Sequence, residues 1–390
     1  MAALSGGHLA TDFASGSVPA LLPFLTVKFG LSYTLTAVLM LAVLLSSSLL
    51  QPLFGLWSDR RGALWLLPAG LVLAGLGIGF AGLAPSYGLL LALVFVSGVG
   101  IAAFHPEGAK FAIFASGRKR ASGMSLFNIG GNTGYALGPI IVTPLVLWLG
   151  LGVGAFVAAV PVIVLSLGVW RAVPYLASLR PTKGVGTTQA VGQDDVRAMV
   201  ILGGVIGFRS VAWFALLTFV PLWLVSLGNS AAYGNRLLSL MLLAGATGTL
   251  LLGPIADRRG LRRTLLVAQV LLTPMILVFV FIGGIAGTVA LMVVGICVVG
   301  TFGTTMVLSQ MYLPRHVGLA SGLAIGLAMG LGGIAAVGLG AIADAVDLET
   351  ALVCSAFAPL FGVVLCLFLP APKPTQNLAS VPTPAYPLLD

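Results

Sequence analysis

Apolar residues run in stretches of spanning length along almost the whole chain, and polar residues fall between them. The stretches occupy about 4–27, 34–57, 63–84, 87–113, 121–149 and 152–173, then about 198–226, 232–256, 264–284, 287–312, 319–343 and 350–369. They do not alternate apolar and polar positions as the strands of a membrane barrel do. A backbone in hydrocarbon must satisfy its own hydrogen bonds, so each stretch is expected to be a helix. The pattern predicts an all-α membrane protein with twelve transmembrane helices in two six-helix bundles, residues 1–173 and 198–369. A polar linker at 174–197 joins them, and a proline-rich tail at 370–390 is expected to be disordered and cytoplasmic.

Composition removes the soluble alternatives. Hydrophobic residues make up 59% of the 390 and charged residues 7%, against roughly 25% charged in a soluble domain. Mean hydropathy is +1.12. The net charge of +9 is spread between apolar runs, not gathered on one face, so no nucleic-acid partner is expected. Fifteen of the 19 basic residues fall on the side shared by both ends of the chain, and Lys28 and Arg236 fall opposite. The excess of basic residues marks the cytoplasmic side, so both termini are expected there. His8 and Asp12 within the first apolar run, with no basic segment before it, argue against a cleaved signal peptide. Cys297, Cys354 and Cys366 lie in apolar runs without metal-ligand spacing and are read as packing.

The halves are related. Gly55-Leu56-Trp57-Ser58-Asp59-Arg60-Arg61-Gly62 recurs as Gly253-Pro254-Ile255-Ala256-Asp257-Arg258-Arg259-Gly260, and Ala121-Ser122-Gly123 recurs as Ala320-Ser321-Gly322. The offsets, 198 and 199 residues, agree, which points to a duplicated six-helix unit. Duplicated halves that rock about a central site are a transporter architecture. Gly55 permits close helix approach, and Asp59 is suited to cap the next helix or to pair with a basic group across the cleft. Gly55, Asp59, Arg60 and Gly62 resemble the loop motif of the major facilitator superfamily, with Asp257, Arg258 and Gly260 as its second copy. The resemblance implies two pseudo-symmetric bundles around a central cavity.

Few ionisable residues lie inside the spans, which makes each informative. His8 and Asp12 share one face of the first span and are suited to share a proton. In the fourth span, His105 and Glu107 flank Pro106 and point roughly 200° apart, so they are not one chelating pair. Lys110 is placed to neutralise Glu107. Arg209 lies near the middle of the seventh span; a planar five-donor cation suits an oxyanion, and a structural pair with Asp12 or Glu107 is the alternative. In the fifth span Gly130, Gly131, Gly134 and Gly138 recur at one-turn spacing, a surface for close helix packing, with Pro139 as a bend. This stretch resembles the antiporter motif of drug-exporting members of the superfamily. Asn128 and Asn132 share a helix face and suit either a ligand or a neighbouring helix. Phe104, Tyr135 and Gln310, with Phe127, Trp213 and Phe214, are candidates for lining a cavity.

Three stretches, 7–13, Phe104-His105-Pro106-Glu107-Gly108 and 125–134, together resemble the fosmidomycin resistance family, and 216–221 after Arg209 fits it. That resemblance implies a bacterial inner-membrane antiporter that expels a small phosphonate antibiotic against inward proton flow, with Asp12, Glu107, His8 and His105 carrying the coupling. The expected partners are a small anionic substrate, protons and membrane lipid, and the expected state is a monomer. No metal and no cofactor beyond the proton gradient is expected. An importer with the same fold is the alternative. An intramembrane enzyme is disfavoured, because no nucleophile motif, protease-like aspartate pair or acidic metal cluster is present.

Overall fold

The computed structural model describes residues 1–61, 63–117, 120–179 and 193–371, without the side chains of 59–61, 120–122 and 317–318. The helices are α1 (Ala2–Phe29), α2 (Tyr33–Arg61), α3 (Leu66–Ala81), α4 (Tyr87–Ala115), α5 (Arg120–Leu149) and α6 (Leu151–Ser178). They continue with α7 (Val196–Ser226), α8 (Ala231–Arg259), α9 (Leu261–Phe281), α10 (Gly284–Gly300), α11 (Phe302–Tyr312), α12 (Val317–Ala345) and α13 (Leu348–Phe368). No strand occurs among the described residues. Ten stretches are long and apolar enough to cross a membrane; α3 is shorter and α1 more polar. Since α10 and α11 form one interrupted crossing, Gly284–Tyr312, the described residues make twelve crossings.

Three boundaries differ from the apolar pattern. The third helix starts at Leu66, and α6 continues to Ser178, past the expected start of the linker. Apolarity marks the hydrocarbon layer, whereas a helix stops where its hydrogen-bond ladder does. The third difference is the break at Thr301. Pro106, Pro139 and Pro221 all sit inside unbroken helices, as membrane helices tolerate. Thr301 breaks one without proline, and its hydroxyl bonds back to the Cys297 carbonyl at 2.6 Å. The core of the linker, 180–192, and the tail from 372 lie outside the described residues.

Packing repeats between the halves. In the first half α1 lies against α5, α2 and α3 against α4, and α3 against α6. In the second, α7 lies against α12, α8 and α9 against α10, and α9 against α13. The bundles meet along two seams, α2 with α12 and α5 with α8, which the same pseudo-symmetry exchanges.

Both seams are tight at the end carrying Lys28 and Arg236. The Asn235 amide donates to the Ala20 carbonyl at 2.9 Å and to the Thr143 hydroxyl at 2.8 Å. Asp344, at the end of α12, accepts from the backbone N–H of Tyr33 at 2.7 Å and of Thr34 at 3.0 Å, and from the Thr34 hydroxyl at 2.5 Å. A carboxylate of one bundle thus caps the first turn of a helix in the other. Halfway along, Ser48 donates to Met329 at 2.7 Å. Beyond that point Leu49, Leu53 and Leu56 of α2 and Leu319 and Leu323 of α12 are exposed. Nothing stands within 4 Å of where a Cβ on Gly322 or Gly326 would be. Among the described residues, the hydrogen bonds between the bundles thus gather at the end carrying Lys28 and Arg236 and at mid-height, and the exposed leucines lie toward the end carrying the basic loops.

Loss of the cross-bundle cap should loosen the closed end. A helix cap contributes about 1 kcal/mol, so Asp344→Ala is expected to speed amide exchange at Tyr33 and Thr34 roughly fivefold. Hydrogen–deuterium exchange reads this directly, and unchanged rates there would mean that the seam closes without Asp344.

Candidate functional site

The first bundle gathers three titratable side chains where α1, α4 and α5 converge. His8 and Asp12 lie one turn apart on α1, and α4 supplies His105 immediately before Pro106. The glycines of α5 make the convergence possible. A Cβ on Gly130 would strike the Ser5 carbonyl, one on Gly134 the Leu9 carbonyl, and one on Gly138 the backbone of Gly16. Their packing partner is thus α1, which contributes Gly16 against the Tyr135 carbonyl. At Gly131 a Cβ would stand 2.5 Å from His8 Nε2 and 2.6 Å from Asp12 Oδ2. That glycine leaves the space the pair occupies.

Backbone contacts fix both imidazoles. His8 Nδ1 lies 2.8 Å from the Phe127 carbonyl and His105 Nδ1 2.8 Å from the Ile101 carbonyl. A carbonyl only accepts, so each Nδ1 carries the hydrogen and each Nε2 turns to Asp12. The distances are 3.3 Å from His8 to Oδ2 and 3.2 Å from His105 to Oδ1. Bare Nε2 lone pairs on both sides of a carboxylate repel it, so the geometry fits a carboxylate between imidazolium donors. Each ring has Nε2 alone left for proton exchange. His8 also stacks on Phe127, with centroids 4.0 Å apart. Asp12 and His105 keep 19% and 24% of their side-chain surface accessible, enough for water to reach them. Asp12, His8 and His105 offer ligand atoms within 4.8 Å of one another.

Glu107 belongs to a second cluster, facing away from the first as its spacing from His105 requires. It is fully buried, accepts from the Ser58 hydroxyl, and lies 3.7 Å from Lys110 Nζ. Lys110 donates to the same hydroxyl at 2.8 Å. Ser58 therefore links the end of α2 to α4, and Gly55 sits against Pro106 one turn earlier. Ser58 was accessible from sequence only through its place beside Asp59 in the repeated loop. The side chains of Asp59 and Arg60, and Gly62 entirely, lie outside the described residues. The N-cap residue of α3 is Trp65, not Asp59. In the second copy Asp257 and Arg258 are exposed, and Gly260 takes a φ of +94° in the link from α8 to α9.

The structure does not bring Arg209 to either carboxylate. Arg209 is buried inside the second bundle, and its Nη1 donates to the Thr301 hydroxyl at 2.7 Å. Asp12 and Glu107 are held by first-bundle partners, so the pair considered from sequence is not formed. Asn128 is exposed and Asn132 and Tyr135 half-buried on one stripe of α5. Thr143, two turns along that stripe from Tyr135, meets Asn235 of the other bundle, so the stripe faces the seam. Tyr135 is also within electrostatic range of Asp12. Phe104 lines no cavity: it is wholly buried beneath Gly7 and Gly108, and a Cβ on either would stand within 2.9 Å of its ring. Gln310 donates to Ser321 at 3.0 Å, joining α11 to α12.

Comparison with known proteins agrees with this architecture. A family model described as Major Facilitator Superfamily matches residues 4–337. The fosmidomycin resistance protein of Escherichia coli is 31% identical over 379 residues, 95% of this chain and 92% of that protein. An MFS-type transporter of Bacillus subtilis, YfnC, is 34% identical over 373 residues, 93% of this chain and 91% of that protein. Among solved structures, the nucleoside transporter NupG superposes with a TM-score of 0.74 at 13% identity, covering 94% of this chain and 98% of its own. An inward-facing bacterial homologue of the lysosomal transporter Spinster gives 0.71 at 16%, covering 94% and 93%. At such identities the likeness is one of fold.

Proposed function

The chain belongs to the major facilitator superfamily, and from that membership we propose that it exports a small anionic compound such as fosmidomycin in exchange for protons. It is a multi-pass membrane transporter and not an enzyme. The observation that carries the proposal is the Asp12 carboxylate held between His8 and His105 at the convergence of α1, α4 and α5. The similarity to the E. coli fosmidomycin resistance protein supports the choice of substrate.

The basic loops support a cytoplasmic side of a bacterial inner membrane for the end that carries them and for both termini, and the exposed leucines there support a vestibule opening to it. Substrate enters the vestibule there, against the stripe of Asn128, Asn132 and Tyr135. Coupling follows from desolvation. While the vestibule is wet, Asp12 with its histidines stripped of protons is hydrated. Closure expels that water, and a carboxylate facing bare lone pairs is costly to bury. Either a proton or a hydrogen-bond donor of bound substrate removes the cost. The bundles therefore rock when one or the other is present, substrate leaving and protons returning. Glu107, bridged through Ser58 to Lys110, reports the same change to the end of α2. One charge crossing 100 mV supplies about 2.3 kcal/mol.

Expression in a susceptible bacterium tests the substrate class. The chain is expected to raise the tolerated fosmidomycin concentration at least fourfold and to leave tolerance of hydrophobic cationic drugs unchanged. Unaltered tolerance of fosmidomycin and of other phosphonates, with the protein present in the membrane, would contradict the assignment.

A further inference from the structure

His8, Asp12 and His105 also have the arrangement of a metal site. The chain has three histidines, and two of them turn Nε2 to the same carboxylate, at 3.3 Å and 3.2 Å. Two ligand atoms held about 2.0–2.1 Å from one tetrahedral ion stand about 3.3–3.4 Å apart. The imidazole–carboxylate spacings therefore match those of ligands that share an ion. The three ligand atoms lie within 4.8 Å of one another, so drawing the two Nε2 atoms together asks each ring to move by less than about 1 Å. The rings of His8 and His105 stand at 89° to each other and so approach one point without stacking.

The surroundings supply what such a site needs. A histidine that binds a metal through one nitrogen holds its other N–H on a carbonyl or carboxylate, which orients the ring and raises the basicity of the ligating atom. The Phe127 carbonyl does this for His8 Nδ1 and the Ile101 carbonyl for His105 Nδ1, both at 2.8 Å. Among the described residues no lysine or arginine pairs with Asp12, so no fixed cation competes for it. Gly131 brings no side chain into the space, where a Cβ would stand 2.5 Å from His8 Nε2. Asp12 and His105 are partly accessible, which gives an ion a way in and leaves its fourth position to water. Charge balances as well. One carboxylate and two neutral imidazoles reach a single net positive charge with two protons or with one divalent ion.

We propose that His8 Nε2, His105 Nε2 and the Asp12 carboxylate bind one divalent transition-metal ion of the zinc class, with water completing its shell. Two imidazoles and one carboxylate suit Zn2+, Co2+ or Ni2+, whereas Mg2+ and Ca2+ take oxygen ligands. Sequence spacing points to no metal, because only packing brings His105 to the pair on α1. The bound ion ties α1 to α4. An Nε2 bonded to a metal carries no proton, so metal and protons occupy the trio in turn. Where the trio exchanges protons, as the proposed function has it, a bound ion arrests that exchange. The site itself rests on the ligand geometry and not on that function.

Equilibrium dialysis of the purified full-length chain, prepared without a polyhistidine tag, against radiolabelled Zn2+ tests the site. Saturable binding of about one ion per chain is expected, and a large excess of Mg2+ should not displace it. Asp12→Asn and His105→Gln each remove a ligand and should weaken binding by about tenfold or more. His316→Gln removes the third histidine, which faces Asp194 elsewhere, and should bind as the wild type does. Zn2+ should also raise the melting temperature of the wild type by several degrees and leave that of the two ligand variants nearly unmoved. Absence of saturable binding, wild-type affinity in either ligand variant, or displacement by Mg2+ overturns the proposal, as does loss of binding in His316→Gln. Should one ligand variant fail to give monodisperse protein, His8→Gln takes its place. Binding is read without a gradient or a cargo, so failure of this site and failure of the proton exchange are separate results.

Discussion

Replacement of Asp12 by Asn is expected to abolish proton-driven export while leaving a folded protein. Asparagine keeps the size of the side chain and one carbonyl acceptor, but it neither ionises nor takes a proton in this range. His8 and His105 stay fixed through the Phe127 and Ile101 carbonyls, yet they lose the carboxylate that their Nε2 atoms face. Removing one partner of a buried ionic group costs about 3–5 kcal/mol, which corresponds to a loss of coupled flux on the order of 100-fold or more. Accumulation of labelled fosmidomycin by everted membrane vesicles measures that flux. Counterflow without a gradient should persist, because substrate still supplies a donor during closure. A variant that pumps above about a tenth of the wild-type rate would remove Asp12 from the coupling scheme.

Gly134→Ala is expected to damage the protein more broadly. The added methyl group meets the Leu9 carbonyl, part of a helix backbone that cannot turn aside. Relief requires α1 and α5 to separate along a line that also includes Gly130, Gly131 and Gly138. Overpacking of this kind costs typically 1–3 kcal/mol, and here it also pulls His8 and Asp12 away from His105. Lower yield, a melting temperature reduced by several degrees and near-complete loss of transport are expected. Gly168→Ala, on α6 where nothing lies within 4 Å, is the control and should be silent. Equal effects at the two positions would show that close approach of α1 and α5 is not what the glycines provide.

The twelve crossings and the duplication were legible in sequence because apolar run length and repeated loops report them without reference to tertiary contacts. The glycine row of α5 also announced a close helix neighbour, although spacing alone did not name α1. His8 and Asp12 were visible as a pair, since four residues separate helical neighbours. The third member, His105, lies 93 residues beyond Asp12, and only packing joins them. Ser58, Thr301 and Asp344 escaped for the same reason: a serine, a threonine and a helix-end aspartate carry no periodic signal, and their roles reside in partners on other helices. The break at Thr301 was hidden further by its surroundings, a continuous apolar run with no proline.

Pseudo-symmetry adds a point that neither half shows alone. The 198-residue offset of the loop repeat sets Arg209 opposite Thr11, one residue before Asp12. Asp12 itself corresponds to Ser210, so the acidic group of one bundle and the buried cation of the other occupy neighbouring, not equivalent, positions of the duplicated unit.

The most direct test uses purified protein in liposomes with an imposed pH difference and no membrane potential. With the lumen acidic, protons leaving should drive labelled fosmidomycin inward until it exceeds its outside concentration several-fold, and collapse of the gradient should release it. Equilibration to equal concentrations in either direction of the gradient, with the protein demonstrably folded, would contradict proton exchange as the driving step.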